Sequence, residues 1–345
     1  MRTLLSSCAL FLLSGSAAAQ LLVPVTQDRS ISGTGDIFGP ETISDSDSDQ
    51  ALDFLQFDSG AAVTVDNGFA LGSGGGTQDS ELLDASVIAS GSAFANGESY
   101  DFEWEGSASG RSTMRYDFTL TAKAAYTISG EIAAFDNGDT IMDLSNNTTS
   151  FENDFAFGPS DIVVINAAGI LEPGDYKFVV ESTASAYGSG FNFDYGFAEY
   201  DLTLQFTPLS ANYCVAAANS VGSGAILALG GSQNISDNDF RIEATGAIPG
   251  GFGLVFYGPN QIQSPFGDGF RCVGGLTHRV QPPVQANPTG DVSKPISFTS
   301  GPAASGSGQI NASSAWNFQL WYRDTMAPGG TGFNVSDGLS VTFCP

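Results

Sequence analysis

Short runs in which apolar and polar residues alternate recur from about residue 61 onward, and no long window shows the spacing of a helix. Tyr116, Phe118 and Leu120 alternate with Asp117, Thr119 and Thr121, the period of a strand with one buried face. The same pattern predicts strands over 61–66, 82–95, 99–105, 114–122, 126–135, 140–144, 162–166, 175–181 and 197–206. The glycine run 72–76 reads as a flexible loop, and Asn137-Gly138 reads as the tight turn of a hairpin. Strands this short, separated by frequent turn signals, predict a β-sandwich of jelly-roll type. Near the end of the chain Trp316, Phe318, Leu320 and Tyr322 alternate with Asn317, Gln319, Trp321 and Arg323. If the first set faces a core, Trp321 and Arg323 share the other face.

The first residues have a different character. Arg2, an apolar run from Leu4 to Leu13 and the small residues through Ala19 read as a secretory signal peptide over 1–19, cleaved to leave Gln20. Too few apolar residues precede Cys8 for a lipoprotein signal. No later run reaches the ~20 apolar residues of a membrane-spanning helix, so no membrane span is expected. Residues 20–60 turn polar through alternating Ser and Asp at 44–49 and read as an N-terminal arm. An acidic sandwich domain is expected over 61–207, a linker over 208–212 and a second sandwich over 213–345. The fold class is therefore all-β, two jelly-roll-like sandwiches in tandem.

Charge divides the chain at the same place. Residues 1–212 hold thirty acidic against six basic side chains, and 213–345 hold seven against five. The excess of twenty-four acids in the first half argues against nucleic acid or an anionic lipid surface as its partner. Three cysteines remain after the signal peptide, Cys214, Cys272 and Cys344. An odd number in an oxidising compartment means one disulfide with one thiol left over, or a bridge between chains.

Two resemblances follow from particular segments. Tyr116-Asp117-Phe118-Thr119-Leu120, the run 125–130, the Pro173-Gly174-Asp175-Tyr176 turn and the run 200–204 resemble the β-sandwich domains of secreted bacterial proteins of the PEP-CTERM type. They resemble more loosely the pre-peptidase C-terminal domains appended to exported enzymes. The sorting signal of the first family is missing. In the second half, Asn212-Tyr213-Cys214, Ser236-Asp237-Asn238-Asp239-Phe240, the run 252–260, Gly269-Phe270-Arg271-Cys272, the run 316–324 and the run 333–343 occur in order. Together they resemble a C-terminal module of secreted proteins in planctomycete-like and myxobacterial-like lineages, which carries no assigned activity. That resemblance implies export and a β fold. Its pattern also implies a Cys214–Cys272 disulfide, closing a loop of roughly 57 residues and contributing on the order of 4 kcal/mol. Cys214–Cys344 stays open as the alternative, because the first and last strands of a sandwich often lie side by side.

Candidate chemistry is sparse. His278 is the single histidine and reads as a surface residue in a loop, and no G-x-S-x-G elbow accompanies it. Asp101, Glu103 and Glu105 would share one face of a strand, ~7 Å apart at successive positions. They resemble the acid-x-acid-x-acid strand of jelly-roll glucanases such as laminarinases but depart from it at the first two acids. Retaining glycosidases need two carboxylates about 5–5.5 Å apart. A half-buried strand accounts for the same pattern, and no catalytic residue is expected. For calcium, Asp45, Asp47 and Asp49 start an EF-type loop, but Gln50 and Gln56 occupy the positions of its glycine and bidentate glutamate. Asp136, Asp139 and Asp143 form the other candidate calcium set. Trp321 with Arg323 is the candidate ligand-binding pair, since an exposed indole beside polar groups can stack on a sugar ring. The chain is thus expected to be a secreted, non-enzymatic surface or matrix protein with a structural or adhesive role. Its partners would be extracellular polysaccharide or other surface proteins. A carbohydrate-binding accessory protein is the main alternative and a cryptic glycoside hydrolase the second.

Overall fold

A computed structural model of the protein describes residues 21–327 and 329–344. The expected signal peptide and its cleavage site lie outside them. The described chain is all β, with no α-helix and two single-turn 3-10 helices, Ile235–Asp237 and Gly306–Gly308. No helix among the described residues is long and apolar enough to cross a membrane. Their contacts divide into two compact units, residues 21–208 and 209–344.

The first unit holds β1 (Leu22–Phe38), β2 (Ile43–Gln50), β3 (Phe57–Asp66), β4 (Ala70–Leu82), β5 (Ser86–Ser99) and β6 (Glu105–Leu120). β7 (Ala124–Asp136), β8 (Gly138–Ser145), β9 (Ser150–Phe157), β10 (Ser160–Leu171), β11 (Gly174–Ser189) and β12 (Phe193–Pro208) follow. They form two six-stranded antiparallel sheets, ordered β2-β1-β6-β11-β8-β9 and β10-β7-β12-β5-β4-β3. From β5 to β12 the strands interleave as β5-β12-β7-β10 against β6-β11-β8-β9, which is the double Greek key of a jelly roll. The strands β1 to β4 widen both sheets on one side.

The core is graded along the sandwich. At one end the inward positions of alternating strands carry large rings: Tyr116 and Phe118 on β6, Tyr176 and Phe178 on β11, Tyr126 on β7 and Phe206 on β12. Phe118 packs edge-on against Phe206 at 5.3 Å and stacks with Tyr116 at 5.3 Å. Elsewhere the filling shrinks to Ala93, Ala95, Ala108, Ala184 and Ala186. Between β4 and the facing β1 and β6 it shrinks further, to glycine. A Cβ added at Gly110 would overlap the backbone oxygens of Gly75 and Phe94, and one at Gly74 would overlap that of Ser109. Neither neighbour is a flexible side chain, so the two sheets would have to part. Gly110→Ala is therefore expected to destabilise the protein by about 1–3 kcal/mol, the cost of overpacking. Urea unfolding checks this; an unchanged midpoint would show that the sheets have room to separate.

The glycine run 72–76, expected as a loop, is thus the interior of β4. With no side chains to alternate, it has no visible period although it lies in the tightest part of the sandwich. Residues 21–60 are no loose arm either. β1 pairs with β6 along nearly its whole length, and the Ser-Asp run forms the exposed edge strand β2. Arg29 anchors this region and is fully buried. Its Nη2 donates to the carbonyls of Asp53 and Leu55 at 2.6 Å each, its Nη1 to the carbonyl of Ser80 at 3.2 Å, and its Nε to Gln27 Oε1 at 3.1 Å. Burial lowers the guanidinium pKa, while the charge of Asp53 opposes that shift. Asn137-Gly138 is not a hairpin turn: β7 and β8 lie in different sheets, and the chain crosses the sandwich there. The strand β9 had no predicted counterpart.

The second unit holds β13 (Ser210–Tyr213), β14 (Ile226–Gly230), β15 (Arg241–Thr245), β16 (Phe252–Gly258), β17 (Asn260–Phe266) and β18 (Gly269–Gly274). It continues with β19 (His278–Arg279), β20 (Val284–Gln285), β21 (Val292–Pro295), β22 (Ala315–Arg323), β23 (Phe333–Val335) and β24 (Gly338–Thr342). The expected linker 208–212 is mostly strand, because residues 210–213 pair with β24. A seven-stranded sheet runs β13-β24-β22-β16-β19, with β20 also on β16 and β23 on β22. A three-stranded sheet, β14-β15-β21, shares a core with it: Leu227, Ile242, Ala244 and Val292 join Val255, Tyr257, Phe318, Leu320, Tyr322 and Val341. The result is a sandwich of unequal sheets without the jelly-roll order. β17 and β18 form a separate two-stranded hairpin.

Candidate binding cleft

Alternation along β22 sorts its side chains as the sequence pattern predicts. Phe318, Leu320 and Tyr322 are buried in the core, and Trp316 packs against it half-buried. Asn317, Gln319, Trp321 and Arg323 take the opposite face. Gln319 on that face is nonetheless fully buried, because the β17–β18 hairpin lies over it. Its Nε2 donates to the carbonyls of Phe270 at 2.8 Å and Ser336 at 2.7 Å, and its Oε1 accepts from the Cys272 amide at 2.9 Å. One buried amide thus fixes the hairpin with every polar atom satisfied.

Two further ties hold the hairpin. Cys214 and Cys272 form the disulfide, with Cα atoms 6.0 Å apart. The Tyr213 hydroxyl donates to the carbonyl of Cys272 at 2.9 Å. Burial, with a smaller effect from Asp337, pushes the Tyr213 phenol pKa up and keeps it a donor. The Cys214–Cys344 alternative is excluded. Cys344 is buried outside the disulfide, its amide donating to the carbonyl of Gln233.

Beside the hairpin the outer face of the large sheet opens into a cleft of about 400 Å³. The pairing of Leu254 with Trp321 and of Phe256 with Gln319 and Arg279 sets Leu254, Phe256 and Trp321 on its floor. Arg279 on β19 bounds one side, and Phe266 and Arg271 on the hairpin bound the other, with Thr277 completing the lining. Phe333 supports the indole, its ring 5.8 Å from Trp321 and 5.2 Å from Phe266. Arg271 Nε donates to the carbonyl of Val273 at 2.8 Å. Among the described residues the side chains of Arg279 and Arg323 have no hydrogen-bond or ion-pair partner. An apolar floor with a few polar groups at its margins is the usual make-up of a small-ligand site.

The structure keeps the predicted pair on one face: Trp321 lines the cleft, and Arg323 is exposed two residues further along the strand. Leu254, Phe256, Phe266, Arg271 and Arg279 were missed as site residues. The run 252–258 is apolar or glycine throughout, so no period showed which of its side chains face outward, and the strands that it neighbours were not visible either.

Other predicted sites do not assemble. Asp139 and Asp143 sit four residues apart on β8, about 13 Å along an extended strand. Asp143 is engaged by Ser145, by Ser150 at 2.8 Å and by Lys177 at 3.5 Å. Burial raises its pKa, but these partners with Asn153 outweigh burial and hold it below the usual range. Asp136 ends β7 in the opposite sheet. No cluster of three acidic, histidine or cysteine side chains suited to a metal occurs among the described residues. Asp45, Asp47 and Asp49 lie along the extended β2 and cannot wrap an ion as a loop would. Residues 100–104 form a turn rather than a strand, with Asp101 Oδ1 accepting from the Glu103 amide at 2.8 Å, so the three acids do not line one face. His278 is in β19 instead of a surface loop. It is half-buried with its ring 5.3 Å from Tyr257, and its Nε2 is buried with no partner among the described residues.

Between β23 and β24, burial encloses a carboxyl. Asp337 accepts from the Leu227 amide at 2.8 Å and from Asn212 Nδ2 at 2.7 Å, yet burial raises its pKa to about 6. A raised carboxyl pKa favours folding fully below the unfolded value of 3.8, and that contribution is lost as the pH rises through 6. At neutral pH the cost is about 3 kcal/mol. A carboxyl-carbon NMR titration should show Asp337 with its midpoint near pH 6; a midpoint below 4.5 would contradict the burial argument.

No family model matches the chain, and no curated protein matches it. Among solved structures, a calcium-binding mutant of Bacteroides uniformis beta-glucuronidase 2 is similar at 10% identity and a TM-score of 0.16. That match covers 67% of this chain and 26% of that one, and at this score it carries no argument about function.

Proposed function

We propose that this protein is a non-catalytic extracellular adhesion protein whose second unit holds carbohydrate in the Trp321 cleft. The observation that carries the reading is the half-buried indole of Trp321, laid beside Leu254 and Phe256 and backed by Phe333. A fixed aromatic face next to hydrogen-bonding groups suits a pyranose ring, which is apolar on one side and hydroxylated at its rim. The residues lining the cleft include two arginines and no carboxylate, so the paired acids of glycoside hydrolysis have no representative there. The disulfide is compatible with an oxidising compartment, in keeping with the expected export. A wide, acidic jelly roll joined to a binding module fits an adhesive role better than a soluble-enzyme role. The test is a glycan array probed with the intact protein and with Trp321→Ala. A set of glycans retained by the first and lost by the second supports the reading, and an empty array refutes it.

A further inference from the structure

Basic side chains are scarce in this protein, eleven against thirty-seven acids, so their placement carries information. The second unit has five. Arg241 is paired with Asp239 and Glu243, and Lys294 is buried with its ammonium on the carbonyl of Pro282 at 2.6 Å. The other three, Arg271, Arg279 and Arg323, all belong to the cleft or to its face of β22. None of the three makes an ion pair among the described residues, in a chain with acids to spare. No acid lines the cleft.

We propose that the cleft selects an acidic glycan, one whose sugar units carry carboxylate or sulfate groups; this rests on the glycan-binding reading above. A guanidinium presents a planar fork of N–H donors that matches a carboxylate or a sulfate, and such charge-assisted pairs are stronger than neutral ones. Arg279 lies two strands across and two residues along from Trp321, on the order of 12 Å between Cα atoms. Both side chains line the same cleft, so one ligand can stack a ring on Trp321 and present a charged group to Arg279. The net charge of −26 repels polyanions from the rest of the surface, so retention of an acidic polymer cannot be diffuse electrostatics.

Two matched pairs of probes test this by affinity electrophoresis: polygalacturonate against its methyl ester, and dextran sulfate against dextran. At least one charged polymer should bind tenfold or more tightly than its neutral partner. Arg279→Gln should remove that preference while leaving the melting temperature unchanged, since the side chain is exposed. Arg241→Gln, outside the cleft, should keep it. Equal binding of charged and neutral partners, or full retention of the preference in Arg279→Gln, overturns the acidic-ligand proposal and leaves glycan binding standing. Failure to bind these four polymers together with an empty array overturns both.

Discussion

Trp321→Ala is expected to weaken glycan binding by about thirtyfold, roughly 2 kcal/mol, the scale at which a central aromatic anchor contributes to an interface. The indole is half-buried in a fixed pose: Leu254 pairs with it across β16, and Phe333 supports it from β23. Truncation removes the stacking face and leaves an open floor that water fills. The loss of stability should be smaller than the loss of binding, because the opposite face of β22, with Phe318, Leu320 and Tyr322, carries the core. Trp321→Phe keeps a ring and should recover part of the affinity. A Trp321→Ala protein that unfolds would place the indole among the core residues instead, and partial recovery by Phe distinguishes the two cases. Isothermal titration calorimetry and a thermal melt on the same samples give both numbers.

Removing the disulfide should have the largest effect on the second unit. Cys214 and Cys272 are 58 residues apart, and a cross-link closing such a loop contributes about 4 kcal/mol, mostly by restricting the unfolded chain. Here the bond also has a local role, because Cys272 sits in the hairpin strand that bears Arg271 and leads to Phe266. The double substitution Cys214→Ser with Cys272→Ser should lower the unfolding midpoint strongly. Where the protein remains folded, it should still reduce glycan affinity. Gln319 and Tyr213 would keep the hairpin near its place, so affinity should fall and not vanish. Unchanged binding in the folded double variant would mean that the hairpin does not shape the cleft.

The legible parts of this protein were those where a side-chain period survives. Residues 116–120 and 316–323 alternate cleanly, and both strands and the facing of Trp321 followed from that alternation. The glycine run 72–76 has no side chains to alternate and was misread as a loop. Polar content hid β1 and β2: Ser and Asp in an exposed edge strand look like a solvated arm, and nothing local shows that Arg29 will be enclosed by carbonyls from 53, 55 and 80. Asn137-Gly138 showed that the chain reverses there but not that it changes sheets, which depends on the whole jelly roll. The three acids named for calcium stay apart for a geometric reason. Acids at 136, 139 and 143 are close in sequence, but the extended β8 spreads Asp139 and Asp143 apart and Asp136 ends β7 in the other sheet. Of the cleft, only the β22 contribution was readable, since Arg279 reaches it through the pairing of β19 with β16 and Arg271 from the separate β17–β18 hairpin.

The central claim is that glycan sits on Trp321, and the three indole N–H signals of the protein, from Trp104, Trp316 and Trp321, report on it directly. Trp316 donates its indole N–H to Ser314 Oγ at 3.2 Å and packs against the core, and Trp104 stacks on Phe69 in the other unit. In a proton–nitrogen correlation spectrum, titration with a glycan retained on the array should shift the Trp321 signal, assigned by its absence in Trp321→Phe. The other two signals should stay in place. Movement of the Trp104 signal with Trp321 unmoved would put the binding site in the jelly roll and contradict the account.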